Sequence, residues 1–272
     1  MGNLCAFYLN AVSYLYGFIS MSFSRGLLHG AYVAYAFSLF LLMMLLVAPV
    51  VLVASFFGKI RGGNFIFKVC RLWSDCWFFC VGIRQHVISE SPLDSRQHCL
   101  FVANHICYLD AALIVKAIRQ PMRPLGKVET SRIPLFGYIY RKAVVTVDRS
   151  SADNRARSVE ILKSILRKHI SIFIFPEGTF NMTGKPLKDF YDGAFRIAIE
   201  TQTPIRPLLF LDSYDRMRPE SVLSLNPGVS RVVFLPEVGV EQYGPGQHLE
   251  LKQKVYSIME SKLKEYKATW IK

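Results

Sequence analysis

The first 58 residues of this 272-residue chain hold one arginine, Arg25, and no lysine, aspartate or glutamate. Within them, Gly30 to Gly58 carries no charge and includes FLLMMLLVAPVVLVASFF, long enough as a helix to cross the roughly 30 Å hydrocarbon layer of a bilayer. So much continuous apolar surface must be covered, and its length and lack of charge favour lipid over a buried core helix. Pro49 would kink such a helix, which membrane helices tolerate. Leu4 to Phe23 is a second apolar stretch, interrupted by Asn10 and several serines and joined to the first by Ser24-Arg25-Gly26. Together they predict a membrane-embedded helix pair over residues 1–58, either a hairpin or with one helix interfacial. No cation precedes the apolar stretch, so it does not read as a cleaved signal peptide.

Nearly all of the formal charge of +13 therefore lies beyond residue 58. Lys59, Arg61, Lys68 and Arg71 follow the long segment, whereas only Arg25 and His29 precede it, so the positive-inside rule puts the C-terminal part on the cytoplasmic face. Residues 64–83 mix Phe, Trp, Leu and Ile with Lys68, Arg71 and Asp75. That composition reads 59–83 as an interfacial amphipathic segment, in the headgroup region or against the domain. Six cysteines show no CxxC pair and no zinc spacing, and read as reduced, packed thiols. The histidines form no HExxH or comparable cluster, so no metal is expected. A basic chain suits anionic lipid or acidic partners. No dense Lys/Arg run is interleaved with aromatics, which argues against nucleic acid as a partner.

From residue 84 to 272, short apolar runs alternate with helical patterns, which predicts a single α/β domain built on a mixed sheet. Strands are expected at 85–89, 99–103, 123–127, 143–147, 170–175, 205–211 and 230–235. Helices are expected near 107–118, 132–141, 152–168, 188–200 and 247–267. Open α/β sheets place their ligands beyond the C-terminal ends of strands, and that is where the distinctive blocks of this sequence fall.

The first block, Asn104-His105-Ile106-Cys107-Tyr108-Leu109-Asp110, follows the apolar run Cys99 to Ala103. A histidine can take a proton from a hydroxyl near neutral pH, and a carboxylate on its other nitrogen fixes the tautomer and steadies the imidazolium. Positions five apart on one helix point roughly 140° apart, so the pairing requires His105 on a turn and Asp110 in the helix that follows. Equally, His105 could simply begin a helix, with Asp110 a first-turn acid favoured by the dipole. Cys107 lies in the variable middle of the block and reads as a packing residue.

The second block is Gly126-Lys127-Val128-Glu129, with Ile133-Pro134-Leu135-Phe136-Gly137 and then Val147-Asp148-Arg149. It sets Lys127 and Arg149 at strand ends, where they suit an anionic head group or surface ion pairs. The third block, Phe175-Pro176-Glu177-Gly178-Thr179-Phe180-Asn181, could hold a polyol, position the base or form a simple turn. The fourth, Thr203-Pro204-Ile205-Arg206-Pro207-Leu208, indicates only a rigid start to an edge or terminal strand.

NHxxxxD, KxE with PxFG and VDR, FPEGT and TPIxPL occur in that order over residues 104–208. In this the chain resembles the glycerolipid acyltransferases that carry an HxxxxD motif, most of all the 1-acyl-sn-glycerol-3-phosphate (lysophosphatidate) acyltransferases. Each block is short, and their order downstream of an apolar N-terminus carries the resemblance. It implies an α/β acyltransferase domain with His105 as base and Asp110 as its orienting partner. It also implies an acceptor site drawn from Asn104, Lys127, Arg149, Glu177, Gly178 and Thr179.

The implied reaction moves a fatty acyl group from a coenzyme A or acyl carrier protein thioester to the free hydroxyl of a lysophospholipid at the bilayer. It needs no other cofactor, and no acyl-enzyme, because a thioester already has a good leaving group. Phosphate-binding members usually carry arginine after EGT, where this chain has Phe180-Asn181. That departure opens a lysophosphatidylethanolamine or aminoacyl-lipid acceptor as an alternative, or Lys127, Arg149 and Lys185 as substitute cations. A reading of another class is a membrane-tethered module that binds anionic lipid without catalysis and is indifferent to loss of the His105 imidazole.

Overall fold

Each of the seven apolar runs becomes a strand in the computed structural model, which describes residues 2–92, 97–148 and 151–272, with backbone alone for 2–25, 152 and 155. They are β1 (Ile83–Ser89), β2 (Leu100–Ala103), β3 (Met122–Lys127), β4 (Val145–Val147), β5 (Ser171–Ile174), β6 (Ile205–Phe210) and β7 (Gly228–Phe234). One mixed sheet orders them β1-β7-β6-β2-β5-β3-β4. Strands β6, β2, β5, β3 and β4 run parallel, β7 opposes β6, and β1 follows β7. The C-terminal ends of the five parallel strands therefore share one edge of the sheet. β2, β5 and β6 are buried along their whole length, and so show no alternation in the sequence, β6 being interrupted only by the buried, ion-paired Arg206.

Helices α3 (Asp110–Ala117), α4 (Phe136–Ala143), α5 (Ala152–Leu166), α6 (Gly193–Glu200) and α7 (Ser213–Arg216) lie in the connections between strands, and α8 (His248–Glu265) follows β7. Leu251, Val255, Met259 and Leu263 of α8 are buried at four-residue spacing, the stripe by which an amphipathic helix covers a sheet. They join Phe101, Phe173, Phe210 and Phe234 of the strands in one core.

The N-terminal stretch is a single helix, α1 (Gly2–Ser55), with Pro49 inside it, and not the expected pair. The link Ser24-Arg25-Gly26 contains one glycine and no proline. Its penalty of about 1 kcal/mol does not stop a helix flanked by long apolar runs. A π-helical turn at Gly58–Gly62 then reverses the chain into α2 (Gly63–Cys80).

The two helices pack antiparallel. At one end the Tyr32 hydroxyl donates to the Val81 carbonyl at 2.7 Å and the Trp77 indole N–H to the Ala36 carbonyl at 3.0 Å, while at the other Gly62 lies against Ala54. Val33, Ala36, Met44, Val51 and Ala54 form the buried seam of α1, and Leu41, Leu42, Leu45, Leu46 and Val53 face outward. Gly26–Ser55 is long and apolar enough to cross a membrane, and little of it is buried.

The segment read as interfacial lies against the domain. α2 gives Phe67, Trp77 and Phe78 to the common core and pairs Asp75 with Lys116 of α3 at 2.7 Å, while Phe65, Leu72 and Phe79 stay exposed. Cys99 and Cys107 are buried and Cys70 is half-buried, but Cys76 and Cys80 are exposed. These two correct the expectation of packed thiols, because they share the outward face of α2 with Phe79.

Gly62 lets the helices meet, since an added Cβ would overlap the Ala54 carbonyl oxygen. Gly62→Ala should force them apart and cost about 1–3 kcal/mol. A clear fall in Tm in detergent is expected, and an unchanged Tm would refute the close approach.

Candidate active site

Asn104 closes the end of β2, buried and bonded at both ends of its amide. Its Nδ2 donates to the Phe210 carbonyl at 3.0 Å, and the Phe210 N–H donates to its Oδ1 at 2.9 Å. One of the residues expected at the acceptor site, it stitches β2 to β6 where the chain leaves the sheet. His105 then sits on a turn, and α3 begins at Asp110, as the five-residue spacing requires.

Asp110 is fully buried. Its Oδ2 accepts from His105 Nδ1 at 2.9 Å, from the Ile106 N–H at 2.6 Å and from the Cys107 N–H at 3.0 Å. A carboxylate at Nδ1 assigns the ring proton there and leaves the Nε2 lone pair to accept one. The imidazole lies flat on Phe175, ring centroids 3.7 Å apart, and meets the edge of Phe180 at 4.6 Å. Phe180 in turn packs edge-on to the exposed Tyr108. Cys107 is buried, and burial first and then the Asp110 charge push its thiol well above the ordinary range, as suits a packing residue.

Beyond β5, the third block wraps the same histidine. Gly178, at φ +71°, turns the chain with its N–H on the Phe175 carbonyl at 3.1 Å, a conformation that favours glycine. Glu177 is buried. Its Oε1 accepts the His105 N–H at 2.9 Å and its Oε2 the Lys188 N–H at 3.0 Å. This carboxylate, also expected at the acceptor site, holds main chain on both oxygens. Burial pushes it up to about 7, against the pull of those two N–H donors. The Asn181 N–H donates to the His105 carbonyl at 2.7 Å. Thr179 is exposed, and Lys188 Nζ donates to its hydroxyl at 2.6 Å.

Lys127 is exposed at the C-terminal end of β3, on the sheet edge that carries His105 and Glu177. Arg149 lies outside the described residues. Arg206 of the fourth block is buried, bonded to Ser91 Oγ at 2.8 Å and paired with Glu237 at 3.1 Å, a structural role. Phe175 and Lys188 went unread in the sequence. Phe175 could have been found from its place at a strand end inside the third block. Lys188 gives no local signal, being eleven positions after Glu177.

A sequence profile of the Acyltransferase family matches residues 84–211. The chain is 29% identical over 186 residues to the 1-acyl-sn-glycerol-3-phosphate acyltransferase of Escherichia coli, covering 68% of this chain and 74% of that one. It is 30% identical over 183 residues to the enzyme of the same name from Salmonella typhimurium, covering 65% and 72%. Its fold is like the crystal structure of the 1-acyl-sn-glycerophosphate acyltransferase from Thermotoga maritima. That match has a TM-score of 0.69 and 22% identity, over 91% of this chain and 98% of that one.

With the Glu177 carboxyl raised to about 7, the folded chain holds that proton more tightly than the unfolded chain. The stability so gained is full below the ordinary carboxylate range and is lost as pH rises through about 7, by roughly 3 kcal/mol in all. Glu177→Gln removes the titration. Wild type should therefore lose stability relative to this variant across that window, measured by chemical unfolding at a series of pH values; a pH-independent difference would refute the shift.

Proposed function

This chain belongs to the acyltransferase family, and from that premise we propose that it is a 1-acyl-sn-glycerol-3-phosphate O-acyltransferase. The donor in this reading is a fatty acyl thioester of coenzyme A or acyl carrier protein, and the product is phosphatidic acid. The observation that carries the proposal is the His105–Asp110 pair, with Nδ1 on the buried carboxylate and Nε2 open. The acceptor hydroxyl gives its proton to Nε2 as its oxygen attacks the thioester carbonyl. Asp110 stabilises the imidazolium. Collapse of the tetrahedral intermediate breaks the C–S bond, and the imidazolium returns the proton to the leaving thiolate.

Two cations support a phosphate-bearing acceptor: the exposed Lys127, and Lys188 beside Thr179. In this reading Glu177, Gly178 and Asn104 shape the site, and Thr179 and Lys127 face the acceptor. One observation favours a second reading, a lysophospholipid with a larger zwitterionic head group. Phe180 presents an aromatic ring against His105 where the resemblance implies a cation.

The apolar outward face of α1 supports membrane association. Because α2 flanks α1 from Tyr32 to Ala54, that stretch is read as lying in one leaflet beside the domain. The cations at Lys59, Arg61, Lys68 and Arg71 support a cytoplasmic placement.

His105→Ala should lower acyl transfer about 10²–10⁴-fold with fold and membrane association intact, and Asp110→Asn should also be severely impaired. Near-normal turnover by folded His105→Ala would sink the assignment. Lys127→Ala should reduce kcat/KM for lysophosphatidate by about ten- to a hundredfold, the worth of one charge-assisted contact, and less for lysophosphatidylcholine. Equal losses on both acceptors would make Lys127 structural.

A further inference from the structure

The main chain of His105 is held on both sides by one loop. Glu177 accepts its N–H, and Asn181 donates to its carbonyl. That loop, 177–188, contains no helix or strand, so something else must fix it. Inside it Asn181 is a buried hub. Its Nδ2 donates to the Lys185 carbonyl at 2.8 Å and to that of Pro186 at 3.3 Å, and its Oδ1 accepts the Thr183 N–H at 3.0 Å and hydroxyl at 2.6 Å.

The second arm comes from residues 269–272, beyond α8. Trp270 is buried and donates its indole N–H to the same Lys185 carbonyl at 3.1 Å. The Lys272 N–H donates to the Gly184 carbonyl at 3.1 Å, and the Thr269 N–H to the Leu211 carbonyl at 2.9 Å. Leu211 follows Phe210, whose main chain is paired with the Asn104 side chain. One arm of the tail thus reaches the loop that holds His105, and the other reaches the end of β6, which holds the residue before it.

We propose that Trp270, with residues 269–272 around it, is a positioning clamp for the His105 imidazole, a reading that rests on His105 being the base. A buried indole N–H needs a partner, and here the partner is the carbonyl on which the loop's own hub, Asn181, also converges. The clamp touches no reacting atom. It sets where the Nε2 lone pair points, and small misplacements of a reacting group lower turnover steeply.

The test uses the full chain in lipid or detergent. Trp270→Phe keeps a six-membered aromatic ring in place and removes the N–H with the rest of the five-membered ring, leaving the Lys185 carbonyl without its indole donor. We expect kcat to fall about three- to tenfold, the scale of one lost hydrogen bond, with both KM values unchanged and the imidazole 15N resonances of His105 displaced. Asn181→Ala and Trp270→Phe act through one carbonyl, so the double variant should lose no more than Asn181→Ala alone. Unchanged kcat and resonances in folded Trp270→Phe overturn the clamp, as do fully additive losses. Should Trp270→Phe fail to fold, deletion of Lys272, which removes the Gly184 bond and the side chain that lies against Gly184, must lower kcat in the same direction or the clamp is wrong. Displaced resonances with unchanged kcat, together with an active His105→Ala, overturn the base assignment and leave the contact itself standing.

Discussion

Asp110 Oδ2 accepts three hydrogen bonds from within five residues of its own chain: the His105 ring, the Ile106 N–H and the Cys107 N–H. Burying a carboxylate is costly unless donors meet it, and these three supply the compensation. The two main-chain bonds fold the turn between β2 and α3, and the third aims the imidazole. Forming the turn and orienting the imidazole are therefore one event. The other oxygen, Oδ1, meets no donor among the described residues, so the compensation passes through the oxygen that faces the ring.

Around this turn the sheet does the gathering. β2 lies between β5 and β6 with parallel register on both sides, so residues 104–110 and 175–181 leave the same edge side by side. Phe175 then stacks on the imidazole and Phe180 meets its edge. Two rings at right angles to each other restrict rotation of a third, so the ring that Asp110 orients through Nδ1 is also held by packing. Such a site is preorganised by groups that do no proton chemistry themselves.

The strands were legible because a strand buried on both faces leaves an unbroken apolar run, as Leu100–Ala103 and Ser171–Ile174 do. The pairing was legible only in part: if His105 and Asp110 meet, their spacing requires a turn followed by a helix, but the spacing alone also admits a helix entry with a first-turn acid. Other tasks were not. That Asn104 and Glu177 are buried and hold main chain follows from partners on other strands and loops, which their residue types do not announce. Lys188 and Trp270 reach the site through contacts far apart in sequence that no local pattern encodes. The N-terminal helix was misdivided because the Ser24-Arg25-Gly26 link resembles a turn in composition yet lies within what a helix tolerates.

Under the proposed function, the placement of α1 bears on how a lipid acceptor would meet His105. α2 packs beside α3, with Ser74 Oγ donating to the Ala112 carbonyl at 3.1 Å and Asp75 paired with Lys116. α3 runs away from the dyad, from Asp110 to Ala117, and α2 runs back toward it. The C-terminal end of α2 therefore lies at the edge of the sheet that carries His105. It is there that α1 is bonded, through Tyr32 to Val81 and Ala36 to Trp77. Under the proposed membrane placement, the lipid-facing helix docks at the level of the base. A lysophospholipid could then present its hydroxyl to His105 with its acyl chain still in the bilayer, and the desolvation of that chain need not be paid for by the protein alone.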